Sequence, residues 1–319
     1  MTRIETIIEF EYGIPCKKDV LGAEFPIMIG ELRGTIAFPN LPENFNRELK
    51  EVDLRPPKNS KLCKTLYDYD KEWGRITDSQ GNSYVKKCMI WFPCTAENYK
   101  DISLGINEKT NNYIDQFILF VEVLARIAID ENSCKGLYIT GGSDYLYIDE
   151  YLKISSADIT PYAIVVTINP DSDFVPEQII RQAIEHTNSN HKICDDHLFL
   201  RDSIFHKNRY EFRRAILDAT TAIEIALTKR ILVEFKHMNV LPDGLINSVL
   251  KKFHSLRGRI ELMQSLDIEL PLKKSDYLDF LSNVRNRAIH AGYQSNLDEV
   301  KKVIVIATRT IDQFGSDFR

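Results

Sequence analysis

Hydrophobic and polar residues follow two different periods along this chain. Up to about residue 170, β-branched and aromatic residues stand in short runs separated by turn-forming residues, a pattern that predicts β-strands. After Pro176, apolar residues recur every three to four positions, which predicts α-helices. We therefore expect an α+β protein, with a mainly-β domain over residues 1–172 and an all-α helical bundle over residues 173–319.

One long helix is expected within the β-rich half. Between residues 110 and 130, Ile114, Phe117 and Val121 repeat at helical spacing and would cover one face of a sheet. The predicted strands span residues 4–10, 26–38, 74–77, 84–92, 136–140, 145–154 and 162–168. Loop composition over residues 169–173 gives the expected domain boundary.

The second half is expected to be helical throughout. The predicted helices span residues 176–187, 195–206, 209–237, 243–256, 259–266, 275–290 and 297–314. The last of them has the clearest start. Asn296 stands at its N-cap and Glu299 at the third helical position, where the two residues can form a reciprocal capping box.

Composition and charge narrow the class of protein. The 319 residues are 44% hydrophobic and 27% charged, which is ordinary for a globular protein. The net charge is -5, with -7 in residues 1–172 and +2 in residues 173–319. This balance disfavours a protein that coats nucleic acid indiscriminately, and it makes the second half the better candidate for contact with phosphates. All seven histidines also lie in the second half.

The N-terminal sequence, the lengths of the apolar segments and the spacing of the cysteines predict the cellular compartment. The N-terminus lacks the apolar core of a signal peptide, and no later segment approaches a run of about 18 uncharged apolar residues. The six cysteines are scattered without a C-x-x-C pair, as is typical of reduced thiols. We expect a cytoplasmic protein without structural disulfides and without a membrane partner.

The most informative chemistry lies at the end of the helix predicted over residues 275–290. This helix ends in the sequence Arg-Asn-Arg-Ala-Ile-His over residues 285–290, and its charged side chains fall largely off the apolar stripe. RNA cleavage needs a group that moves protons at the 2′-hydroxyl or the 5′-oxygen, and a fixed cation that holds the charge of the phosphorane. His290 and Arg285 suit these two tasks.

Spacing alone does not establish this interpretation. Arg285 and His290 are five residues apart, about 140° around an ideal helix. They converge only if the helix distorts near Gly292 or if a second subunit supplies one of them. Asn286 precedes His290 by four residues, so its amide would orient the imidazole. Two further pairs share the spacing, namely Arg181 with His186 and Arg201 with His206.

Two segments of the chain resemble the HEPN superfamily, helical domains that include many prokaryotic RNases of defence and toxin systems. One is the Arg-Asn-x3-His sequence over residues 285–290, in the penultimate predicted helix. The other covers residues 210–224, which look like the long helix that such domains pack against the motif helix. The resemblance extends over about residues 195–314.

The resemblance implies a reaction and an assembly. It implies a metal-independent endoribonuclease without a cofactor, which cleaves RNA, for example tRNA, to a 2′,3′-cyclic phosphate and a 5′-hydroxyl. Arg285 and His290 would be the catalytic pair and Asn286 the accompanying polar residue. The site would form where two HEPN domains meet in a homodimer. A non-catalytic HEPN module for dimerisation or RNA binding has the same fold, so that alternative stays open.

The order of the two domains is similar to that of ApeA-type anti-phage proteins, in which a β-rich region precedes a HEPN domain. This likeness implies a role in anti-phage or stress defence, with the first domain as a sensor of a phage-derived trigger. HEPN toxins that are silenced by nucleotidyl transfer have a tyrosine two positions after the histidine. Here Gly292 takes that place and Tyr293 follows it, so we do not expect control by that route.

Further residues are candidates for contact with the substrate or for support of the site. Arg287, Arg213 and Arg214 would contact the RNA backbone, although clustered arginines are also typical of a solvated helix face. Glu224 lies on the apolar side of its predicted helix. It would either form a salt bridge with the motif arginine and orient it, or serve as an ordinary structural partner.

A second cluster has the spacing of metal ligands. His191, Cys194 and His197 stand in an H-x2-C-x2-H arrangement, which suits zinc or another transition metal. A continuous helix would spread these three side chains too widely for one ion without a fourth ligand. The simpler alternative is a polar loop that leads into a helix capped by Asp195 or Asp196. No metal is expected in the catalytic site.

Overall fold

A computed structural model describes most of the chain. The described residues are 3–43, 45, 52–65, 72–95, 97–129, 134–142, 145–148, 154–158, 161–168, 174–238, 242–290, 295–315 and 317–318. They form two compact units, Met1–His191 and Lys192–Arg319. The first unit is built on an antiparallel β-sheet and the second is helical, which is the α+β class expected from the sequence.

The boundary between the two units lies further along the chain than the change in hydrophobic pattern. The expected boundary loop, residues 169–173, lies outside the described residues, and the helix that follows it belongs to the sheet unit. Asn188, the last residue of this helix, shows why. Its Oδ1 accepts hydrogen bonds from the Met28 backbone N–H at 2.8 Å and from the Tyr113 hydroxyl at 2.9 Å, and its Nδ2 donates to the Pro26 carbonyl at 3.1 Å.

The strands of the first unit form one large sheet and one separate pair. They are β1 (Arg3–Cys16), β2 (Glu24–Ile29), β3 (Leu32–Ala37), β4 (Gly74–Ile76), β5 (Ser83–Pro93), β6 (Cys134–Gly142), β7 (Tyr145–Ile148), β8 (Ile154–Asp158) and β9 (Pro161–Ile168). The order in the seven-stranded sheet is β2-β3-β5-β1-β7-β8, with β4 also paired to β5, while β6 pairs with β9. The long strands β1 and β5 are therefore central.

Some predicted elements of this unit are wrong in extent. Residues 26–38 form two strands instead of one, because Gly30, with φ of 63°, lies in the turn that reverses the chain between β2 and β3. Residues 145–154 fall in β7 and β8, and residues 149–153 lie outside the described residues. The helix predicted over residues 110–130 spans Tyr99–Ala125 in the structure, so it begins and ends earlier than predicted.

In the described part of this unit, a short 3₁₀-helix (Lys18–Val20) and three α-helices accompany the strands: α1 (Leu62–Thr65), α2 (Tyr99–Ala125) and α3 (Glu177–Asn188). Helix α2 ends where Arg126 adopts a left-handed φ of 56°. Phe117 and Val121, which carried the helical pattern in the sequence, are fully buried. Helix α3 packs against α2 and β2, so it completes the core of the sheet unit.

The second unit consists of helices in its described residues. They are α4 (Asp195–Asn208), α5 (Phe212–Met238), α6 (Asp243–Lys252), α7 (Leu256–Ser265), a π-helical segment (Asp276–Leu281) that continues into α8 (Ser282–Ile289), and α9 (Leu297–Phe314). The capping box predicted for α9 is confirmed, because the Glu299 N–H donates to Asn296 Oδ1 at 2.9 Å and the Glu299 side chain accepts from the Asn296 N–H.

Helix α5 is the central element of the helical unit, since it packs against α4, α7, α8 and α9. Its buried face carries a stripe of small residues, Ala215, Ala219, Ala222 and Ala226, none of which has exposed surface. Small side chains let neighbouring helices approach closely. Among the described residues, no helix is long and apolar enough to cross a membrane.

Candidate active site

The helix that carries the Arg-to-His sequence is present, but it is not a uniform α-helix. Asp276–Leu281 is π-helical and runs directly into α8. Tyr277 fixes this segment, because its side chain is fully buried and its hydroxyl lies 2.9 Å from Thr310 Oγ1 on α9. Single π-helical turns occur frequently at functional sites. Residues 285–290 therefore extend from a helix whose start is anchored in the core.

Helix α8 ends at His290. This residue is the C-cap, with φ of -76° and ψ of 140°, and its backbone N–H donates to the Arg287 carbonyl at 3.2 Å. Its side chain is exposed, and the imidazole has no hydrogen-bond partner within the described part of the chain. The expected helix stop at Gly292 lies outside the described residues. The imidazole is thus accessible to a ligand.

The other two histidines with Arg-x4-His spacing lie in different surroundings. His206 has both ring nitrogens near carboxylates, since Nδ1 lies 2.8 Å from Glu211 Oε2 and Nε2 lies 3.5 Å from Asp218 Oδ2. The Nδ1 atom of His186 lies 2.8 Å from Nδ1 of His191. Of these three histidines, His290 is the one whose ring is left without such partners among the described residues.

Arg213 brings a cation from α5 to the end of the motif helix. Its Nη2 donates a hydrogen bond to the carbonyl of Ile289 at 3.0 Å. The last carbonyls of a helix lack intrahelical partners and attract positive charge, so this guanidinium caps α8. The cation therefore lies against the peptide group that joins Ile289 to His290.

Arg285 forms part of a three-residue charge cluster. Its Nη2 lies 3.6 Å from Oε1 of Glu224 on α5, and Oε2 of the same carboxylate lies 3.4 Å from Nη1 of Arg259 on α7. The side chain of Arg285 keeps 35% of its surface exposed. The expected contact between Glu224 and the motif arginine is present. One carboxylate faces two guanidiniums, so the cluster carries a net charge of about +1.

The sequence did not point to Arg259. Arg257 and Arg259 both lie in α7, and only the packing of α7 against α5 distinguishes them, because it exposes the first and turns the second toward Glu224. Burial lowers the pKa of the Arg259 guanidinium below its usual value. The charge of Glu224 opposes this shift, and the charge of Arg285 adds to it.

The other residues predicted for the site do not contact this charge cluster. Asn286 is exposed, and no hydrogen bond between its amide and His290 is present among the described contacts, so the expected orienting bond is not seen. Arg287 Nη2 lies 2.8 Å from Oε1 of Glu299 on α9. Arg214, with 68% of its side chain exposed, pairs at 3.0 Å with the glutamate three residues before it. Arg287 and Arg214 therefore each form an ion pair with a carboxylate.

Arg285 and His290 do not face the same side of α8. The helix is regular from Ser282 to Ile289, so their side chains leave it about 140° apart. No distortion that would bring the two side chains together is present between Ser282 and Ile289. Within one chain, the candidate cation and the candidate proton-transfer group therefore face different directions.

No protein-family model matches the chain, and no curated protein or solved structure matches it significantly. These comparisons assign no family to the protein.

The residues with metal-ligand spacing have separate partners. His191 faces His186, as described above. Cys194 Sγ donates to the carbonyl of Asp317 at 3.6 Å. The buried ring of His197 packs against Phe318, with ring centroids 4.9 Å apart. Among the described residues, no group of three or more histidine, cysteine or acidic side chains is arranged to hold a metal ion.

An open cavity of about 470 Å³ lies elsewhere in the helical unit. Its charged lining includes Lys229, Arg230 and Lys236 of α5. Two of these cations are already paired, because Lys229 lies 2.9 Å from Asp196 and Arg230 lies 2.8 Å from Glu234. None of the residues in the Arg285 cluster lines this cavity.

The histidine pair in the sheet unit predicts a dependence of stability on pH. Because the two Nδ1 atoms are 2.8 Å apart, one ring must donate and the other accept. Burial, followed by the charge of His191, lowers the pKa of His186 below its usual 6.5. The folded state favours neutral His186, so this stabilising contribution is complete above pH 6.5 and is lost as pH falls through the lowered pKa.

We expect the unfolding free energy of the wild type to fall relative to that of His186→Gln between about pH 7 and pH 5. Fluorescence of Trp73 and Trp91 measures this in urea, because both tryptophans belong to the sheet unit. His237→Gln, at an exposed histidine of the helical unit, is the control. A difference that stays constant or grows toward low pH contradicts the expectation.

Proposed function

We propose that the helical unit is a HEPN-like domain and that the protein is a metal-independent endoribonuclease. The observation that carries the proposal is that the last two turns of one helix hold an incompletely neutralised guanidinium, Arg285, and an exposed imidazole, His290, that has no partner among the described residues. A fixed cation and a proton-transfer group are the minimum that RNA cleavage by transesterification requires. The products are a 2′,3′-cyclic phosphate and a 5′-hydroxyl.

The two residues divide the chemistry between them. Arg285 stabilises the negative charge that gathers on the phosphorane, and Glu224 holds its guanidinium in place. His290 moves the proton that leaves the 2′-hydroxyl or enters the 5′-oxygen. Arg213 lies one peptide group away from His290 and adds positive charge where the RNA backbone passes.

A second copy of the chain completes the site in this proposal. Arg285 and His290 diverge by about 140° on α8, so one copy presents its arginine to a phosphate that the histidine of the other copy reaches. Ile289 and Leu297, which flank the end of the motif, expose 44% and 37% of their surface. Apolar residues of this kind suit the centre of an interface between two helical units.

The proposed setting is anti-phage or stress defence in the cytoplasm. The sheet unit has a core of its own and is proposed as the module that recognises a phage-derived trigger. The substrate class is RNA, with tRNA as one candidate.

A non-catalytic role is the second candidate function. The divergence of Arg285 and His290 within one chain favours it, because a module that only binds RNA or dimerises does not need the two groups to meet. Such a protein would bind RNA through its cations and leave every phosphodiester intact.

The test of the proposal is an RNA digest in the presence of EDTA. We expect the purified full-length protein to cleave tRNA or total cellular RNA with EDTA present, and the new 3′ ends to be cyclic phosphates. End-group analysis checks this, because a cyclic phosphate resists phosphatase until acid opens it to a phosphate monoester. Cleavage that requires an added divalent metal, or tight RNA binding without cleavage by protein whose expression does not arrest cell growth, contradicts the proposal.

A further inference from the structure

Within the described residues, the buried Nη1 of Arg259 has no hydrogen bond of good geometry. Its Nη1 is shielded from solvent, and the oxygen of Glu224 at 3.4 Å does not make a geometrically adequate hydrogen bond with it. A charged donor buried without an acceptor is costly, and native structures rarely keep one without a reason. Nη1 itself is shielded from a ligand, so it shows only that Glu224 neutralises this guanidinium incompletely. A ligand oxygen would approach the exposed part of the Arg259 side chain.

The charge balance around Glu224 also leaves room for an anion. Hydrogen bonds between a guanidinium and a carboxylate are normally about 2.7–2.9 Å long. Here both contacts of Glu224 are longer, at 3.4 Å to Arg259 and 3.6 Å to Arg285. Neither arginine is therefore fully neutralised by the carboxylate they share.

We infer that Arg259 is a second phosphate-binding residue of the candidate site, which contacts the RNA backbone beside Arg285. The inference rests on the proposed function, and it names a residue that the motif does not contain. Arg259 keeps 18% of its side chain exposed and Arg285 keeps 35%, so both side chains border on solvent. The planar fork of an arginine matches the oxygens of a phosphodiester.

The position of Arg259 extends the site beyond the motif helix. Helix α7 carries Arg259, α5 carries Glu224 and α8 carries Arg285, so the backbone of a bound strand would contact side chains from different helices. A phosphate that enters the cluster gains two cationic partners at the cost of one nearby carboxylate. Glu224 is then the residue that keeps two like charges close together before RNA arrives.

The test is the salt dependence of RNA binding in full-length protein that carries His290→Ala, which separates binding from cleavage. The probe is a fluorescent single-stranded RNA oligonucleotide. Each phosphate contact contributes about 0.7 to the slope of log K against log salt concentration. We expect Arg259→Gln to lower the slope by about 0.7, so that its loss of affinity shrinks by about 2.5-fold between 50 and 200 mM salt.

Two comparisons make the result specific. Arg257→Gln removes the same charge from the same helix at an exposed position about 200° away, and its slope should match that of the parent. Arg259→Gln is also made in a Glu224→Gln background. If Arg259 contacts the phosphate directly, Arg259→Gln lowers the slope in the Glu224→Gln background by the same amount. If Arg259 acts only through Glu224 on Arg285, Arg259→Gln leaves the slope unchanged in that background. Thermal unfolding of every variant reports whether the fold is intact.

The outcomes distinguish this inference from the proposed function. If the parent binds RNA and Arg285→Gln lowers its slope while Arg259→Gln does not, the role of Arg259 is overturned and the nuclease site stands. A uniform loss of affinity at all salt concentrations makes Arg259 a structural residue and also overturns it. If the parent binds no RNA, the proposed function fails and the inference fails with it.

Discussion

Replacing His290 with alanine is expected to lower the rate of RNA cleavage by about 10² to 10⁴-fold, the usual contribution of a proton-transfer group. The expected change in unfolding free energy is within about 0.5 kcal/mol, because the side chain is exposed and has no partner among the described residues. The measurements are single-turnover cleavage of RNA in EDTA and urea denaturation of the same preparations.

His254→Ala is the matched control for this prediction. His254 is another exposed histidine of the helical unit, with Nδ1 at 3.1 Å from the Lys251 carbonyl. We expect the control to cleave RNA at the wild-type rate. Equal rates for the wild type and His290→Ala would remove the imidazole from the mechanism, whatever the fate of Arg285.

Replacing Glu224 with alanine is expected to destabilise the helical unit by about 2 kcal/mol, because it leaves the half-buried guanidiniums of Arg259 and Arg285 without their shared counter-ion. Partial exposure of these side chains keeps the loss below that of a fully buried pair. Cleavage should fall by about 10 to 100-fold, since Glu224 also orients Arg285. Urea denaturation followed by circular dichroism and the EDTA digest measure the two effects.

A double-mutant cycle shows whether the loss comes from the uncompensated charge. Removing Arg259 as well, in Glu224→Ala/Arg259→Gln, should restore about 1 kcal/mol, because one of the two facing cations is gone. Glu261→Ala, at an exposed acid on α7, should change stability by less than about 0.5 kcal/mol. Additive losses in the double variant would show that Glu224 and Arg259 do not interact.

The parts of the fold that were predicted correctly depend on patterns among residues close together in the sequence. The capping box of Asn296 and Glu299 depends on residues three apart, and the structure forms it as expected. The helix over residues 275–290 and the helical pattern of Phe117 and Val121 follow from periodicity, which persists whatever the neighbouring elements are. The contact of Glu224 with Arg285 was also foreseeable, because an acid on an apolar helix face needs a buried partner.

Features that depend on tertiary packing were not predictable in this way. Arg259 differs from Arg257 only through the packing of α7 against α5. The boundary between the units follows the hydrogen bonds of Asn188 to β2 and α2, which join residues far apart in the sequence. The π-helical turn depends on how the helix is seated in the core, where Tyr277 meets α9.

The most direct measurement of the central claim is a mixing experiment with two inactive variants, Arg285→Ala and His290→Ala. If the arginine of one copy and the histidine of another act on one RNA linkage, exchange of subunits yields mixed dimers with one intact site in two. The account then predicts recovery of about one quarter of the wild-type cleavage in EDTA. Activity that stays at the level of the separate variants after subunit exchange would contradict it.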